Sequence, residues 1–234
     1  MPRPWLSPPS TVPETGSKSE IIQDVKTMRK EQDYYFTKAK KDKYPARSVY
    51  KLEEAQEKYR FIRKGKRVLD LGCHPGSWSM YAASILGPGG IVVGVDLQET
   101  DLAGQKGDAE IHLLCYDVYS DELVRAIHKQ WPGFHVLLSD MAPRTTGSQY
   151  ADHQHSLRLV RRVLELTRTF LHPGGSLYVK VFQGEDFPEF VDECKPLFDR
   201  VKVVKPASSR RESREVFVLG RGYRPVSKKK KLDA

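Results

Sequence analysis

The chain has 234 residues, of which 39% are apolar, and a formal net charge of +9, and this length suffices for one α/β domain with its own core. No apolar run approaches the roughly 18 residues that a membrane-spanning helix requires, and the three cysteines are widely separated without a CxxC pair, which argues against structural disulfides and a zinc site. We therefore expect a protein without a metal or a membrane partner in a reducing compartment, the cytoplasm or alternatively a mitochondrial or plastid matrix.

The charge is unevenly distributed along the chain. Lys and Arg number 17 against 9 Asp and Glu in residues 1–67, 10 against 18 in residues 68–199, and 12 against 3 in residues 200–234. An acidic middle between two basic ends indicates a polyanion that contacts the ends. The alternative is a solubilising surface with two disordered tails, which is less favoured because the basic stretches continue into patterned, foldable sequence.

The chain begins with a segment that has no apolar periodicity. Residues 1–19 are rich in Pro, Ser and Thr, which predicts disorder. A basic helical extension is expected over residues 20–66, where Ser48 is predicted to cap a helix that runs to about Arg60. The aromatic residues 34–36 either anchor this extension to the core or stack on an unpaired base.

Strand-like and helix-like stretches alternate from residue 67 to about residue 224. Strands are predicted at 67–71, 91–95, 111–115, 135–139, 176–182, 201–205 and 215–219. Helices are predicted at about 78–87, 120–130, 152–171 and 186–197. This alternation predicts an α/β domain with a mostly parallel sheet and helices on both faces. The short loop between the last two strands permits an antiparallel hairpin at one sheet edge, and residues 225–234 are expected to be a basic tail.

A glycine-rich turn follows the first predicted strand. The stretch Gly72–Gly76 would let backbone approach a ligand at the carboxyl edge of the sheet. Asp96 and Asp117 end the next two strands, where a carboxylate can bind ribose hydroxyls or an adenine amine. His74 occupies the place of the second glycine of GxGxxG, which admits a pyrophosphate. This favours S-adenosylmethionine, a cation without phosphates, over NAD; a non-binding turn with surface carboxylates is the alternative.

Four polar residues lie where a purely structural role would not require them. Asp140 ends the fourth strand, Lys180 interrupts the apolar fifth strand, Glu215 opens the last strand, and Lys51 lies early in the helix before the sheet. A lysine within a buried strand is unfavourable unless it is paired or neutral. The alternatives are that Lys180 extends to solvent near a strand end and that Lys51 lies on a solvated helix face.

Several stretches, in order, resemble the FtsJ (RrmJ) family of bacterial 23S ribosomal RNA (uridine-2′-O)-methyltransferases and their organellar relatives. They are Ala46–Leu52, Asp70–Gly72 with Pro75–Ser79, Ser139–Pro143, Val179–Gly184 and Lys205–Val216. The resemblance implies a Rossmann-like, seven-stranded class I methyltransferase sheet, mostly parallel with the last strand antiparallel, and S-adenosyl-L-methionine as cofactor. Cys73 and His74 replace two small residues of the family pattern, and we favour a structural role for His74.

The resemblance also assigns site residues. The family's catalytic tetrad falls on Lys51, Asp140, Lys180 and Glu215. The expected cofactor-binding residues, with Gly72 added from the turn, are Gly72, Gly76, Trp78, Asp96, Asp117 and Asp140. We expect Lys180 to act as general base, which requires a neutral amine before transfer. Lys51 and Glu215 would position the hydroxyl, and Asp140 would orient Lys180 and the methyl donor.

Basic residues on either side of the expected site are predicted to bind RNA phosphates. They are Lys38, Lys40, Lys41, Lys43, Arg47, Lys205, Arg210, Arg211 and Arg214. We expect a monomer that acts on large-subunit ribosomal RNA within the ribosomal particle, because a small domain without a base-reading module needs RNA shape for specificity. The alternatives are a tRNA or mRNA-cap 2′-O-methyltransferase and a non-catalytic RNA-binding ribosome-assembly factor.

Overall fold

The computed structural model describes residues 34–102, 109–143, 146–210 and 212–225. The predicted disordered segment 1–19, residues 20–33 of the basic extension and all but the first residue of the C-terminal tail lie outside these ranges. Within them, no helix combines the length and apolar character needed to cross a membrane.

A seven-stranded sheet forms the centre of the molecule, in the order β3-β2-β1-β4-β5-β7-β6. Its strands are β1 Arg67–Leu71, β2 Ile91–Asp96, β3 Glu110–Cys115, β4 Phe134–Ser139, β5 Leu171–Phe182, β6 Phe198–Val204 and β7 Glu215–Tyr223. The first five strands pair in parallel, while β7 is antiparallel to both β5 and β6. The predicted mostly parallel sheet with an antiparallel last strand is confirmed.

Helices cover both faces of this sheet. They are α1 Val49–Tyr59, α2 Ser77–Leu86, α3 Asp121–Gln130, α4 Gln149–Phe170 and α5 Phe187–Cys194, preceded by a helical segment over residues 34–41. One apolar core lies between the sheet and α3, α4 and α5, and the other between the sheet and α1 and α2. We call the second the α1 face.

The structure moves several predicted boundaries. Strand β6 begins at Phe198 rather than at residue 201, directly after a short 3-10 helix that ends α5. Strand β7 extends to Tyr223 because its second half pairs with the start of β6. Ser48 does precede α1, but its side chain makes no capping hydrogen bond. Its carbonyl instead accepts a hydrogen bond from the indole N–H of Trp78, at 2.8 Å.

Candidate active site at the carboxyl edge of the sheet

Strand periodicity gathers polar side chains at one corner of the α1 face. Side chains two residues apart on a strand point to the same face. Tyr178 and Phe217 belong to the core of the α1 face, so Lys180 and Glu215, each two residues away, share that face at the carboxyl end of β5. Asp140 follows the end of β4 in the same register, two residues after the core residue Leu138.

The four proposed tetrad residues form two ion pairs. Lys51 Nζ lies 2.7 Å from Glu215 Oε1, and each side chain is 12% exposed. Lys180 Nζ lies 2.9 Å from Asp140 Oδ1 and donates a hydrogen bond to the backbone carbonyl of Asp140 at 2.5 Å. Lys180 is only 7% exposed. The lysine that interrupts the apolar strand is therefore paired, as burial of a charge-bearing group requires.

A stack of aromatic rings supports the tetrad from below. The rings of Tyr178 and Phe217 stack with centroids 4.8 Å apart, and Trp78 stacks on Tyr178 at 5.7 Å. The Tyr178 hydroxyl donates to the backbone carbonyl of Lys51 at 3.1 Å, which fixes α1 against the sheet. Large rings with few rotatable bonds give the two lysines a rigid base.

The loop between β6 and β7 holds Glu215 in place. Ser209 Oγ donates to Glu215 Oε1 at 2.8 Å, and the ammonium of Lys205 donates to the Glu215 carbonyl at 2.8 Å. Burial raises the pKa of the Glu215 carboxyl, but the ion pair with Lys51, the hydrogen bond from Ser209 and the charge of Lys180 together outweigh burial, and the pKa lies below its usual value. Glu215 is therefore an anion at neutral pH. Sequence reasoning missed Ser209, although it lies within a stretch that carries the family resemblance.

The glycine-rich turn lies beside this corner, between β1 and α2. Gly72 has φ +78° and Gly76 has φ +103°, conformations that residues with a Cβ rarely adopt. A Cβ on Gly72 would lie 2.2 Å from Met141 Cγ, and one on Gly76 would lie 2.5 Å from Leu102 Cδ2. Both glycines are thus required for the course of the backbone at this turn.

Asp70, in β1, is a buried carboxyl that sequence reasoning did not assign to the site. Ser79 Oγ donates to its Oδ2 at 2.7 Å, while its Oδ1 is buried without a hydrogen-bond partner. Burial, together with the charges of Asp140 and Asp96, raises the pKa of Asp70 to about 7. Three carboxyl groups from adjacent strands therefore repel one another at this edge, an arrangement that a bound cation would stabilise. An acidic residue inside an apolar strand is the sequence signal that could have identified it.

The other predicted cofactor contacts differ in how they are placed. Asp96 accepts hydrogen bonds from the backbone N–H groups of His74, at 3.0 Å, and Gln98, at 2.9 Å, and each carboxylate oxygen can accept a further bond. Asp117 is exposed and accepts from the N–H of Tyr119. The Trp78 side chain is 3% exposed and belongs to the core. A cofactor contact from Trp78 would therefore come from its backbone N–H in the first turn of α2.

The basic residues predicted to bind RNA fall into two groups. Lys38 is paired with Glu53 at 3.2 Å, the Lys205 ammonium donates to backbone carbonyls, and Arg214 donates to the Gln149 carbonyl at 3.1 Å. These contacts stabilise the fold of the site. A second set is exposed or faces the Lys51–Glu215 pair and comprises Lys40, Lys41, Lys43, Arg47 and Arg210. Arg211 lies outside the described residues.

Arg47 and Arg210 form a positive spot beside the tetrad. Burial and the neighbouring Arg210 cation lower the pKa of the Arg47 guanidinium, while Glu215 opposes this effect. Two guanidinium groups at close range favour a phosphate between them.

Comparison with protein-family models matches residues 44–223 to the FtsJ-like methyltransferase family. The chain belongs to the FtsJ-like methyltransferase family. It is 54% identical over 201 residues to the ribosomal RNA large subunit methyltransferase E of Desulfotalea psychrophila, covering 86% of this chain and 100% of the relative. It is 45% identical over 188 residues to the enzyme of the same name from Syntrophobacter fumaroxidans, covering 80% of this chain and 94% of the relative.

Solved structures share the fold of this family member. One described as a ribosomal RNA methyltransferase from Plasmodium falciparum has a TM-score of 0.66 at 24% identity, covering 77% of this chain and 98% of its own. Fibrillarin from Aeropyrum pernix, solved with natively bound S-adenosyl-L-methionine, has a TM-score of 0.54 at 18% identity, covering 74% of this chain and 76% of its own. As a member of this family, the protein is an S-adenosylmethionine-dependent methyltransferase, as the sequence predicts.

Proposed function

We propose that the protein transfers a methyl group from S-adenosylmethionine to a uridine 2′-hydroxyl of 23S-type large-subunit ribosomal RNA, within the ribosomal particle. The observation that carries this proposal is the pair of lysine–carboxylate contacts at the carboxyl edge, beside the neighbouring carboxyl groups of Asp70 and Asp96. The relatives at 45–54% identity over almost their full lengths are all large-subunit ribosomal RNA methyltransferases by name, which supports the choice of RNA.

The carboxyl groups at this edge fit the cofactor. The unpartnered Oδ1 of Asp70 and the two neighbouring carboxylates suit a ligand that carries an ammonium and a sulfonium. We assign the ribose hydroxyls to Asp96, the adenine amine to Asp117, and the close backbone approach to Gly72 and Gly76. When bound, S-adenosylmethionine supplies an electrophilic methyl group to the attacking oxygen.

Lys180 is placed to remove the hydroxyl proton. A neutral amine has two N–H donors and one lone pair. The Asp140 carbonyl accepts a hydrogen bond from Lys180 Nζ at 2.5 Å, and the Asp140 carboxylate, whose Oδ1 lies 2.9 Å from the same atom, would accept the second N–H when the amine turns towards it. The lone pair then remains for the 2′-hydroxyl, whose proton passes to Lys180 Nζ as its oxygen forms the new bond to carbon. Asp140 thus orients the base and stabilises the ammonium that results.

The second ion pair positions the hydroxyl. Glu215 carries a negative charge and can accept a hydrogen bond, while Lys51 Nζ can donate one. The Tyr178 hydroxyl holds the backbone of Lys51, and Ser209 holds the carboxylate of Glu215. The hydroxyl oxygen of the substrate would therefore be fixed relative to the methyl donor before reaction.

The exposed cations beside this pair would bind the RNA backbone. Lys40, Lys41 and Lys43 project from the segment before α1, and Arg47 and Arg210 lie at the tetrad. The four tetrad residues contact one another within one chain, so the proposed site needs no residue from a second subunit, and we propose a monomer. Ribosomes and a reducing environment coincide in the cytoplasm and in organelle matrices, and we place the protein in the cytoplasm.

Methyl transfer to three substrates tests this function. Labelled S-adenosylmethionine would be supplied with undermethylated large ribosomal subunits, free large-subunit RNA and tRNA. We expect ribose-linked label in the large-subunit RNA and none in tRNA. Label confined to tRNA would overturn the proposed substrate. If the protein neither binds the cofactor nor transfers label to any of the three substrates, the assembly-factor alternative would be favoured.

Two substitutions at Lys180 separate a base from a fixed cation. Lys180→Ala is expected to lower transfer by about 10²–10⁴-fold while cofactor affinity, measured by calorimetry, stays nearly unchanged. Lys180→Arg keeps a cation beside Asp140 but cannot be deprotonated, so it should be equally inactive. Lys129→Ala, at an exposed lysine at the end of α3, is the matched control. Substantial transfer by Lys180→Arg would show that Lys180 acts as a cation and not as the base.

A further inference from the structure

A second basic site lies at the amino ends of the parallel strands, opposite the carboxyl edge that holds the tetrad. There a surface cavity of about 680 Å³ is lined by the starts of β4 and β6, the end of β7 and the segment before β1. In the register of β5 and β7, Lys180 pairs with Phe217 and Ser176 pairs with Arg221. Four residues of strand separate these pairs, which places the cavity about 13 Å from Lys180 along the strand.

Four cations surround this cavity: Arg63, Lys66, Arg200 and Arg221. Among the described residues, the side-chain cations of these four have no ion-pair or hydrogen-bond partner, in contrast to those of Lys38 and Lys205 near the tetrad. The one acidic residue of the lining, Asp199, lies 3.4 Å from Arg224 and is thus already paired. Unpaired like charges gathered around one cavity repel one another, and an anion would relieve that repulsion.

A histidine at the cavity reports the same positive environment. His135, at the start of β4, lines the cavity and its Nδ1 accepts a hydrogen bond from the backbone N–H of Arg67 at 3.1 Å. Burial, and after it the charges of Lys66, His172 and Arg67, lower the pKa of His135 to about 4. The His135 ring is therefore neutral at pH 7, and the positive charge among the residues that line the cavity comes from Lys and Arg.

The geometry of these cations favours an extended polyanion over a small one. Arg63, Lys66 and Arg200 are exposed and come from two separate segments on either side of the cavity. The stretch Pro173–Gly175 forms part of the cavity wall and carries little side chain, so backbone of a ligand could approach it closely. Cations spread around an open rim match successive phosphates of a nucleic acid strand.

We propose that this cavity binds the phosphate backbone of the RNA substrate at a segment other than the one that enters the active site. The proposal rests on the proposed function, since it takes the same RNA as ligand. One RNA held at opposite edges of the sheet must be folded or wrapped around the protein. The two contacts together would favour a structured RNA over a short single strand.

The test compares two double variants that remove equal charge. Arg63→Gln/Arg200→Gln removes two cations of the cavity rim. Lys129→Gln/Arg168→Gln, the control, removes two exposed cations of α3 and α4. For each full-length protein, the Kd for undermethylated large-subunit RNA would be measured by filter binding over a salt series. The same proteins would be assayed for methyl transfer at saturating RNA and for cofactor affinity.

We expect the cavity variant alone to bind the RNA about tenfold more weakly, with a salt slope lower by about 1.5. Its transfer rate at saturating RNA and its affinity for S-adenosylmethionine should equal those of the unaltered protein. Equal Kd values and slopes for the two variants would overturn the distal contact and leave the proposed function standing. Absence of transfer by the unaltered protein would overturn the proposed function, while the binding series would still decide the distal site.

A small anion is the other source of the same chemistry. Inorganic pyrophosphate would be titrated into the unaltered protein and the cavity variant by calorimetry. Binding of pyrophosphate that the variant loses, with RNA affinity unchanged, would assign the cavity to a free phosphate compound and overturn the RNA contact.

Discussion

The buried carboxyl of Asp70 makes the stability of the cofactor-free protein depend on pH, and Asp70→Asn should remove that dependence. The folded protein raises the pKa of Asp70 from 3.8 to about 7, so between these values the folded state retains a proton that the unfolded chain releases. Stability from this group is fully present below the unfolded pKa and is lost as the pH rises towards the folded pKa. From pH 5 to pH 8 the loss amounts to about 2.5 kcal/mol.

Urea unfolding of the two proteins at pH 5, 6, 7 and 8 would measure this loss. The difference in free energy of unfolding between the variant and the unaltered protein isolates Asp70, because other titrating groups are common to both. Asn keeps the oxygen that accepts from Ser79 and has nearly the same volume. We expect the variant to gain stability relative to the unaltered protein by about 2.5 kcal/mol over this range.

Bound S-adenosylmethionine should reduce the pH dependence of stability that Asp70 causes. A cation bound near Asp70 favours its ionised carboxyl. Saturating S-adenosylmethionine should therefore flatten the pH dependence of the unaltered protein, and Asp70→Asn should bind it more weakly. A difference between the two proteins that stays constant from pH 5 to pH 8 would refute the reasoning, since it would mean that Asp70 is ionised throughout the range.

Two further predictions concern the tetrad and the turn. Lys51→Met leaves the partly buried Glu215 carboxylate without its ion pair, and we expect a loss of about 2 kcal/mol in free energy of unfolding. The double variant Lys51→Met/Glu215→Leu should recover that stability, measured by urea unfolding, but not methyl transfer. Recovered transfer would contradict the positioning role. Gly72→Ala places a Cβ 2.2 Å from Met141 Cγ at a residue with positive φ, so both the Tm and the cofactor affinity should fall. Adding Met141→Ala should restore part of the Tm. An unchanged Tm for the single variant would show that the added Cβ causes no strain at this turn.

Strand periodicity explains how much of the site the sequence could predict. Asp140 and Glu215 lie at strand ends, and Lys180 breaks an apolar alternation, so each stands out locally. The position of Lys51 depends on how α1 docks on the sheet, which the Tyr178 hydroxyl and the aromatic stack determine. No local pattern encodes such a tertiary contact, and only the family resemblance identified this lysine.

The same limit applies to burial and pairing. Trp78 follows the glycine turn and was expected to contact the cofactor, but its ring packs in the core because two aromatic partners lie within 6 Å. Lys38, Lys205 and Arg214 read as RNA contacts from charge alone, yet each has a partner in the folded protein. A sequence shows which residues are charged, whereas the fold decides which of their hydrogen-bond donors already have a partner.

The sheet order also relates assembly of the tetrad to synthesis of the chain. Among the strands that the structure describes, β7 is synthesised last, yet it pairs between β5 and β6. Until β7 inserts, the edges of β5 and β6 that face each other are unpaired. Glu215, at the start of β7, cannot yet contact Lys51. A nascent chain that lacks β7 therefore has neither the complete seven-stranded sheet nor a complete tetrad, so the four side chains can assemble only after β7 has been synthesised.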